Sequence, residues 1–181
     1  MVADSPALFA PVKPAGESGE RVASLLTEHY RFVWRTLRRL GVHEAAVDDA
    51  AQQVFLVASG RLADVPKEKE RSFLMGVAVR TAANARRTQS HRREDADLDA
   101  VSEHPSPTNP EELLDWKQRR QKLDAWLSRL DLDLRAPFVL FELEGLALDE
   151  IADTLELPLG TVKTRLRKAR AIFKPRGKSA R

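Results

Sequence analysis

Apolar side chains recur at three- and four-residue steps from Glu20 to Leu40, through Val22, Leu25, Leu26, His29, Phe32, Val33, Thr36 and Leu37, and Gly41 follows. That spacing predicts an amphipathic helix with a glycine at its end. A second helix is expected from Glu44 to Leu62, burying Val47, Ala51, Val54, Phe55 and Ala58. A third is expected to begin near Lys67, after Pro66, with Phe73, Leu74, Val77, Ala78, Thr81 and Ala82 on one stripe. After Pro110 the pattern resumes, with Leu113, Leu114, Trp116, Leu123, Trp126, Leu127 and Leu130 on the first helix. Asp131 and Asp133 offer cap oxygens to the next helix, which carries Phe138, Val139, Phe141 and Leu143; Pro137 is tolerated there only if it falls in the first turn. Gly145 is a natural terminator. Leu148, Ile151, Ala152 and Leu155 then face inward on a short helix, and Pro158 opens a last one. Two short helices joined by a tight turn, the second one basic, form the helix-turn-helix pattern.

Stretches without this periodicity divide the chain. Residues 1–19 hold Pro6, Pro11, Pro14, Gly16 and Gly19 and are expected to be a mobile tail. Residues 94–110 begin acidic and are broken by Pro105, Pro107 and Pro110, as a linker would be. The expected organisation is therefore all-α, with a module over 20–93, another over 111–175 and a basic tail at 176–181. The 181 residues suffice for two small helical units. With 43% hydrophobic and 31% charged residues the composition is that of a soluble globular protein. No apolar run is long enough to span a membrane, and the first residues lack the basic-then-apolar order of a signal peptide, so a cytoplasmic location is expected.

Charge placement says more than the net +3. Arg71 to Arg93 contains no acid but includes Arg80, Arg86, Arg87 and Arg92, and no acid follows Glu156. Both modules thus end in a purely cationic segment. The absence of cysteine excludes disulfides and thiolate metal sites, and His29, His43, His91 and His104 show no ligand spacing. No metal or cofactor is expected. Neither a Ser-His-Asp arrangement, nor paired catalytic carboxylates, nor a glycine-rich phosphate loop argues for an enzyme.

At about 100° per residue, Val162, Leu166, Ala169 and Phe173 share one face of the last helix, and Lys163, Thr164, Arg167, Lys168 and Ala171 share the other. Arg165 flanks the apolar stripe and is expected to pair with Glu150 or Asp153. A basic amphipathic helix can simply aid solubility or lie on an anionic membrane. A capped helix and tight turn in front of it favour DNA, whose major groove admits a helix of this width. A stand-alone helix-turn-helix regulator, with the first module serving dimerisation or sensing, is the alternative within that choice.

The run RAPFVLFELEGLALDEIADTLELPLGTVKTRLRKARAIFK resembles region 4 of the extracytoplasmic function (ECF) group of sigma-70 family sigma factors, with Glu150-Ile151-Ala152 and Gly160-Thr161-Val162 as its most specific pieces. The resemblance implies that Gly160, Thr161, Lys163, Thr164, Arg167 and Lys168 contact a −35 promoter element. Glu156 stands where the family usually has glycine in the turn. In the first module, Asp49, Gln52 and Phe55 resemble the region 2 pattern Asp-x-x-Gln-x-x-Phe. It implies that Asp48, Asp49, Gln52 and Gln53 form a surface for the clamp helices of the RNA polymerase β′ subunit.

The third helix resembles the segment that melts and reads a −10 element, which implies contacts from Phe73, Arg80, Asn84, Arg86 and Arg87. A pocket for an extruded base is expected in the loop from Asp64 to Arg71. Here Phe73 stands for the family's Trp, Gly76 for a common Arg and Arg80 for the usual Asn. The implied function is that of a sigma factor directing promoter recognition, melting and initiation. Its implied partners are core polymerase (β′ clamp helices and β flap), promoter DNA and, as often in the group, an anti-sigma factor; the free chain is expected to be a monomer off the membrane. About 20 residues from Thr88 to Pro110 can reach roughly 65 Å when extended, enough to serve two promoter elements.

Overall fold

In the computed structural model the described residues are 17–92, 119 and 121–173, and helices are the only regular elements among them. Most of the expected N-terminal tail, all of the linker, the stretch holding Leu113, Leu114 and Trp116, and the basic tail lie outside the described residues.

Helix α1 runs over Glu17–Leu40, entering three residues of the segment expected as tail, and stops where Gly41 takes φ +97°. Only glycine adopts that conformation without penalty. Helix α2 covers Glu44–Ser59 and ends earlier than its periodicity suggests, in a turn and a short 3-10 segment at Leu62–Asp64. A second 3-10 turn, Lys67–Lys69, leads into α3, Glu70–Arg92. Leu25, Val33, Leu37, Val47, Val54, Leu74 and Ala78 close the core of this three-helix unit.

The second unit begins with a helical segment over 121–127, called α4. Helix α5, Leu132–Phe138, follows and widens into a π-type turn at Val139–Leu143. Pro137 lies in the interior of α5 and is buried, not in the first turn as expected. It removes one ladder donor, and the wider turn follows directly after it. Helix α6, Leu148–Leu155, and helix α7, Leu159–Phe173, complete the chain. Leu127, Leu130, Val139, Leu140, Ile151, Val162 and Leu166 are buried together. Trp126 is 58% exposed, and its ring lies tilted, 6.2 Å from that of Phe173.

The two units touch. Helix α6 packs on α3, and α5 and the π-type turn pack on α1. As a result α3 is buried on two sides: Met75, Gly76 and Val77 are covered as well as the stripe of Leu74, Ala78 and Ala82.

Candidate nucleic-acid interface

Hydrogen bonds fix both ends of α6 and the turn that leads into α7. At the start of α6 the Glu150 Oε2 accepts from the Ala147 N–H at 2.9 Å, satisfying an orphan donor of the helix start. At its end Glu156 takes φ 54° and ψ 44°, the one non-glycine residue with positive φ among those described. The Leu157 N–H reaches back to the Ala152 carbonyl at 2.9 Å, and the Pro158 carbonyl accepts from Thr161 at 2.8 Å to begin α7.

Helix α7 is anchored by Val162, Leu166 and Ala169, all buried, and by half-buried Phe173, whose ring sits 5.1 Å from that of Phe138. Its opposite face carries Lys163, Thr164, Arg167 and Lys168, all exposed, with Gly160 exposed and Thr161 half-exposed at the helix start. Nothing lies within 4 Å of where a Cβ on Gly160 would sit, so the first turn is open to a close neighbour. Arg165 departs from the expected partners and lies 3.6 Å from Asp133 of α5. Glu150, one of the two, is engaged at the cap of its own helix. Arg170 pairs with Glu142 at 2.6 Å and covers the Phe141 ring. The cations of α7 therefore divide into two that hold the unit together and three, Lys163, Arg167 and Lys168, that project from it.

On α3, Phe73 is half-buried against the core, while Arg80, Asn84 and Arg87 are exposed and Asn84 accepts from Arg87. Arg80 lies 3.3 Å from Glu156 of the helix-turn-helix. Arg86, expected at DNA, is half-buried, and its guanidinium donates to the Leu40 carbonyl at 3.2 Å. Arg135 does the same at the Arg39 carbonyl, at 2.6 Å. Together they cap the C-terminus of α1, where unpaired carbonyls and the helix dipole favour cations. Arg135 is 5% exposed, and burial first, then its neighbour Arg86, pull its guanidinium down to about 10, against the opposing effect of Asp124. A Cβ on Gly41 would fall 2.5 Å from that guanidinium, so glycine serves both the turn and the packing here.

The loop before α3 holds a surface hollow of about 540 Å³, lined by Arg21, Ala63, Asp64, Val65, Pro66 and Lys67. Arg21 braces it, donating to the Val65 carbonyl and pairing with Glu70 at 2.7 Å. This is the segment where a base pocket was expected.

Asp48, Asp49, Gln52 and Gln53 are all exposed on α2, beside Leu56 and Val57, which are 60% and 42% exposed. Val47, Ala51, Val54 and Phe55 face the core, so polar and apolar positions separate as the spacing predicts. Asp48 is also tied inward: its Oδ1 accepts from the Tyr30 hydroxyl and the Trp34 indole N–H, each at 3.0 Å. Burial first, then Asp48, push the Tyr30 phenol up to about 12. Tyr30 and Trp34 escaped the sequence reading, although their four-residue spacing on α1 was a usable signal, since buried Tyr and Trp need a partner for their polar ends.

Among the described residues there is no group of three or more His, Cys, Asp or Glu placed to hold a metal, and no helix long and apolar enough to cross a membrane.

Residues 25–92 match the family model for Sigma-70 region 2, and residues 120–172 that for Sigma-70, region 4. The ECF RNA polymerase sigma-E factor of Escherichia coli K12 is 29% identical over 168 residues, covering 88% of both chains. That of Haemophilus influenzae is 28% identical over 176 residues, covering 91% of this chain and 92% of the relative. In fold, the chain is similar to the sigma factor RpoE of Bartonella quintana in complex with the anti-sigma factor NepR, at TM-score 0.64 and 16% identity over 84% of this chain and 94% of that one. It is also similar to CnrH in complex with the cytosolic domain of CnrY, at TM-score 0.62 and 21% identity over 84% of each.

Proposed function

The chain belongs to the ECF group of the sigma-70 family, and from that premise we propose how an RNA polymerase sigma factor of this sequence divides its work among named residues. Helix α7 enters the major groove of the −35 element. Lys163, Arg167 and Lys168 meet phosphates and base edges, and Thr161, Thr164 and the bare backbone at Gly160 approach closely. The observation that carries this is the outward face of α7: three exposed cations and a threonine backed by a buried stripe, at the second helix of a helix-turn-helix.

On α3, Arg80, Asn84 and Arg87 track the −10 strand, with Phe73 beside them at the edge of the core. Arg86 positions α3 against α1 rather than touching DNA. The hollow at Ala63–Lys67 takes an extruded base, with Arg21 and Lys67 at its rim to meet phosphate. Asp48, Asp49, Gln52 and Gln53, with Leu56 and Val57 beside them, form the polymerase-binding patch of α2. That mixture of polar and apolar side chains suits a protein partner better than a solvated face alone. Core polymerase through its β′ clamp helices and β flap, promoter DNA and an anti-sigma factor are the partners, all met in the cytoplasm. The chain performs no bond-making chemistry of its own; it supplies binding energy and sequence selection to the polymerase.

Mixing the protein with core RNA polymerase tests the whole assignment. The chain should co-purify with the polymerase and start promoter-specific transcripts. Failure to form any complex would favour a stand-alone regulator.

A further inference from the structure

The polar side chains along the outer face of α2 are not held alike. Among the described residues no hydrogen bond or ion pair reaches the side chain of Asp49, Gln52 or Gln53. Asp48 is different. Its Oδ1 accepts from the Tyr30 hydroxyl and from the Trp34 indole N–H, and both donors come from α1. Tyr30 and Trp34 stand four residues apart, so one face of α1 presents the two together. Each donor is itself fixed. Trp34 is buried, and the Tyr30 ring stacks on that of Phe55 with centroids 6.2 Å apart and planes 20° from parallel. Phe55 lies two turns along α2 from Asp48, so Tyr30 grips that helix at two points.

The apolar core already fastens α1 to α2: Val33, Leu37, Val47, Ala51 and Val54 are fully buried in it. The polar contact sits at its rim, where its effect falls on one exposed carboxylate. A carboxylate at the end of a short exposed side chain samples several rotamers, and a partner that binds it must freeze them. Two donors from a packed helix remove that freedom during folding instead. Neither donor is charged, so these bonds orient the carboxylate without neutralising it.

We propose that Tyr30 and Trp34 are positioning residues of the polymerase-binding surface: they hold the Asp48 carboxylate at a fixed point of α2, set to receive a cationic side chain of the polymerase. The inference rests on the assignment of the α2 patch given above. Asp49 beside it adds a second negative charge, and the amides of Gln52 and Gln53 can both donate and accept around the incoming group.

A double-mutant cycle on polymerase affinity tests this. Dissociation constants for core polymerase are measured by titration for the parent, Tyr30→Phe, Asp48→Ala and the double variant, with urea unfolding run on each. Tyr30→Phe deletes the hydroxyl and keeps the ring on Phe55. It should weaken polymerase binding by about two- to twelvefold, the range for one more side chain to be ordered on association. Asp48→Ala should weaken binding at least as much, and adding Tyr30→Phe to it should change nothing further, because the hydroxyl acts through the carboxylate. Trp34→Phe, which removes the other donor, should behave the same way in the same cycle; if it does not fold, Tyr30→Phe decides alone. A hydroxyl that only stabilised the fold would lower urea stability and leave the dissociation constant where it was. One that disturbed the whole patch would weaken binding equally with and without Asp48. Either result would overturn the inference. Asp49→Ala separates it from the assignment beneath it: affinity lost in Asp49→Ala but not in Asp48→Ala would overturn the positioning role and keep the patch, whereas no loss in either would overturn both.

Discussion

Replacing Lys163 and Arg167 with alanine isolates the electrostatic part of α7's role. Both side chains are exposed, and the stripe holding the helix in place lies on the opposite face, so the double variant should fold as the parent does. Lys163, Arg167 and Lys168 are the projecting cations; Arg165 and Arg170 are engaged with Asp133 and Glu142 and are left out of the count. If each projecting cation neutralises one phosphate, the three contribute a slope of about −2.7 to the logarithm of affinity against the logarithm of salt, and one remaining cation about −0.9. Between 50 and 200 mM salt, α7's share of the affinity then falls about 40-fold in the parent and about 3.5-fold in the variant. Cations on α3 add equally to both slopes and cancel in the difference. Fluorescence anisotropy on a labelled promoter duplex over that salt range gives both slopes, which should differ by about 1.8. Equal slopes, with affinity lost by the same factor at every salt concentration, would show that the two side chains do not meet phosphate.

Asp49→Ala with Gln52→Ala should weaken association with core polymerase while leaving DNA affinity unchanged; a pull-down titration checks it, and equal polymerase affinity would refute the α2 patch. Leu166→Ala, at a position 3% exposed, should cost about 2–5 kcal/mol and abolish DNA binding by loosening α7, as denaturant unfolding of the second unit would register. Arg165→Ala should lower stability slightly and leave the salt slope alone, since its partner is Asp133 and its role is packing. Tyr30 is the only tyrosine of the chain, so near-ultraviolet absorbance follows its ionisation directly, and the midpoint should lie near 12 rather than 10. The neutral phenol is the form favoured by the fold. Its contribution is therefore complete below pH 10 and is lost as pH rises from about 10 to about 12, a decline that Tyr30→Phe should remove. Asp48→Asn should bring the midpoint only part of the way back, because burial is the larger cause; a midpoint near 10 in the parent would refute the Tyr30–Asp48 contact.

Much of this was written in local periodicity. The buried faces of α2 and α7 follow a single stripe each, because each of these helices packs on one side and meets solvent on the other; Val47, Ala51, Val54 and Phe55, and likewise Val162, Leu166 and Ala169, lie where the spacing puts them. The features that escaped depend on neighbours distant in sequence. Arg165 finds Asp133 of α5, and Glu150 is held at the start of α6, neither of which a helical wheel reveals. Pro137 is tolerated inside α5 because the chain widens into a π-type turn immediately after it.

Helix α3 carries the largest discrepancy and explains it. A helix packed on one side shows a stripe, but the run Leu74-Met75-Gly76-Val77-Ala78 is buried throughout, because α1 and α2 cover one side and α6 the other. From sequence, such a run is compatible with a core helix or with a stripe blurred by small residues, and Gly76 looks like a simple weakness. Only the second unit's position gives Gly76 a neighbour, and only then does the cationic segment beyond it separate into Arg86, which caps α1, Arg80, which faces Glu156, and Arg87, which faces outward beside Asn84. A helix packed on two sides cannot be amphipathic in the ordinary sense. The missing stripe is thus the sequence trace of a helix covered from two sides.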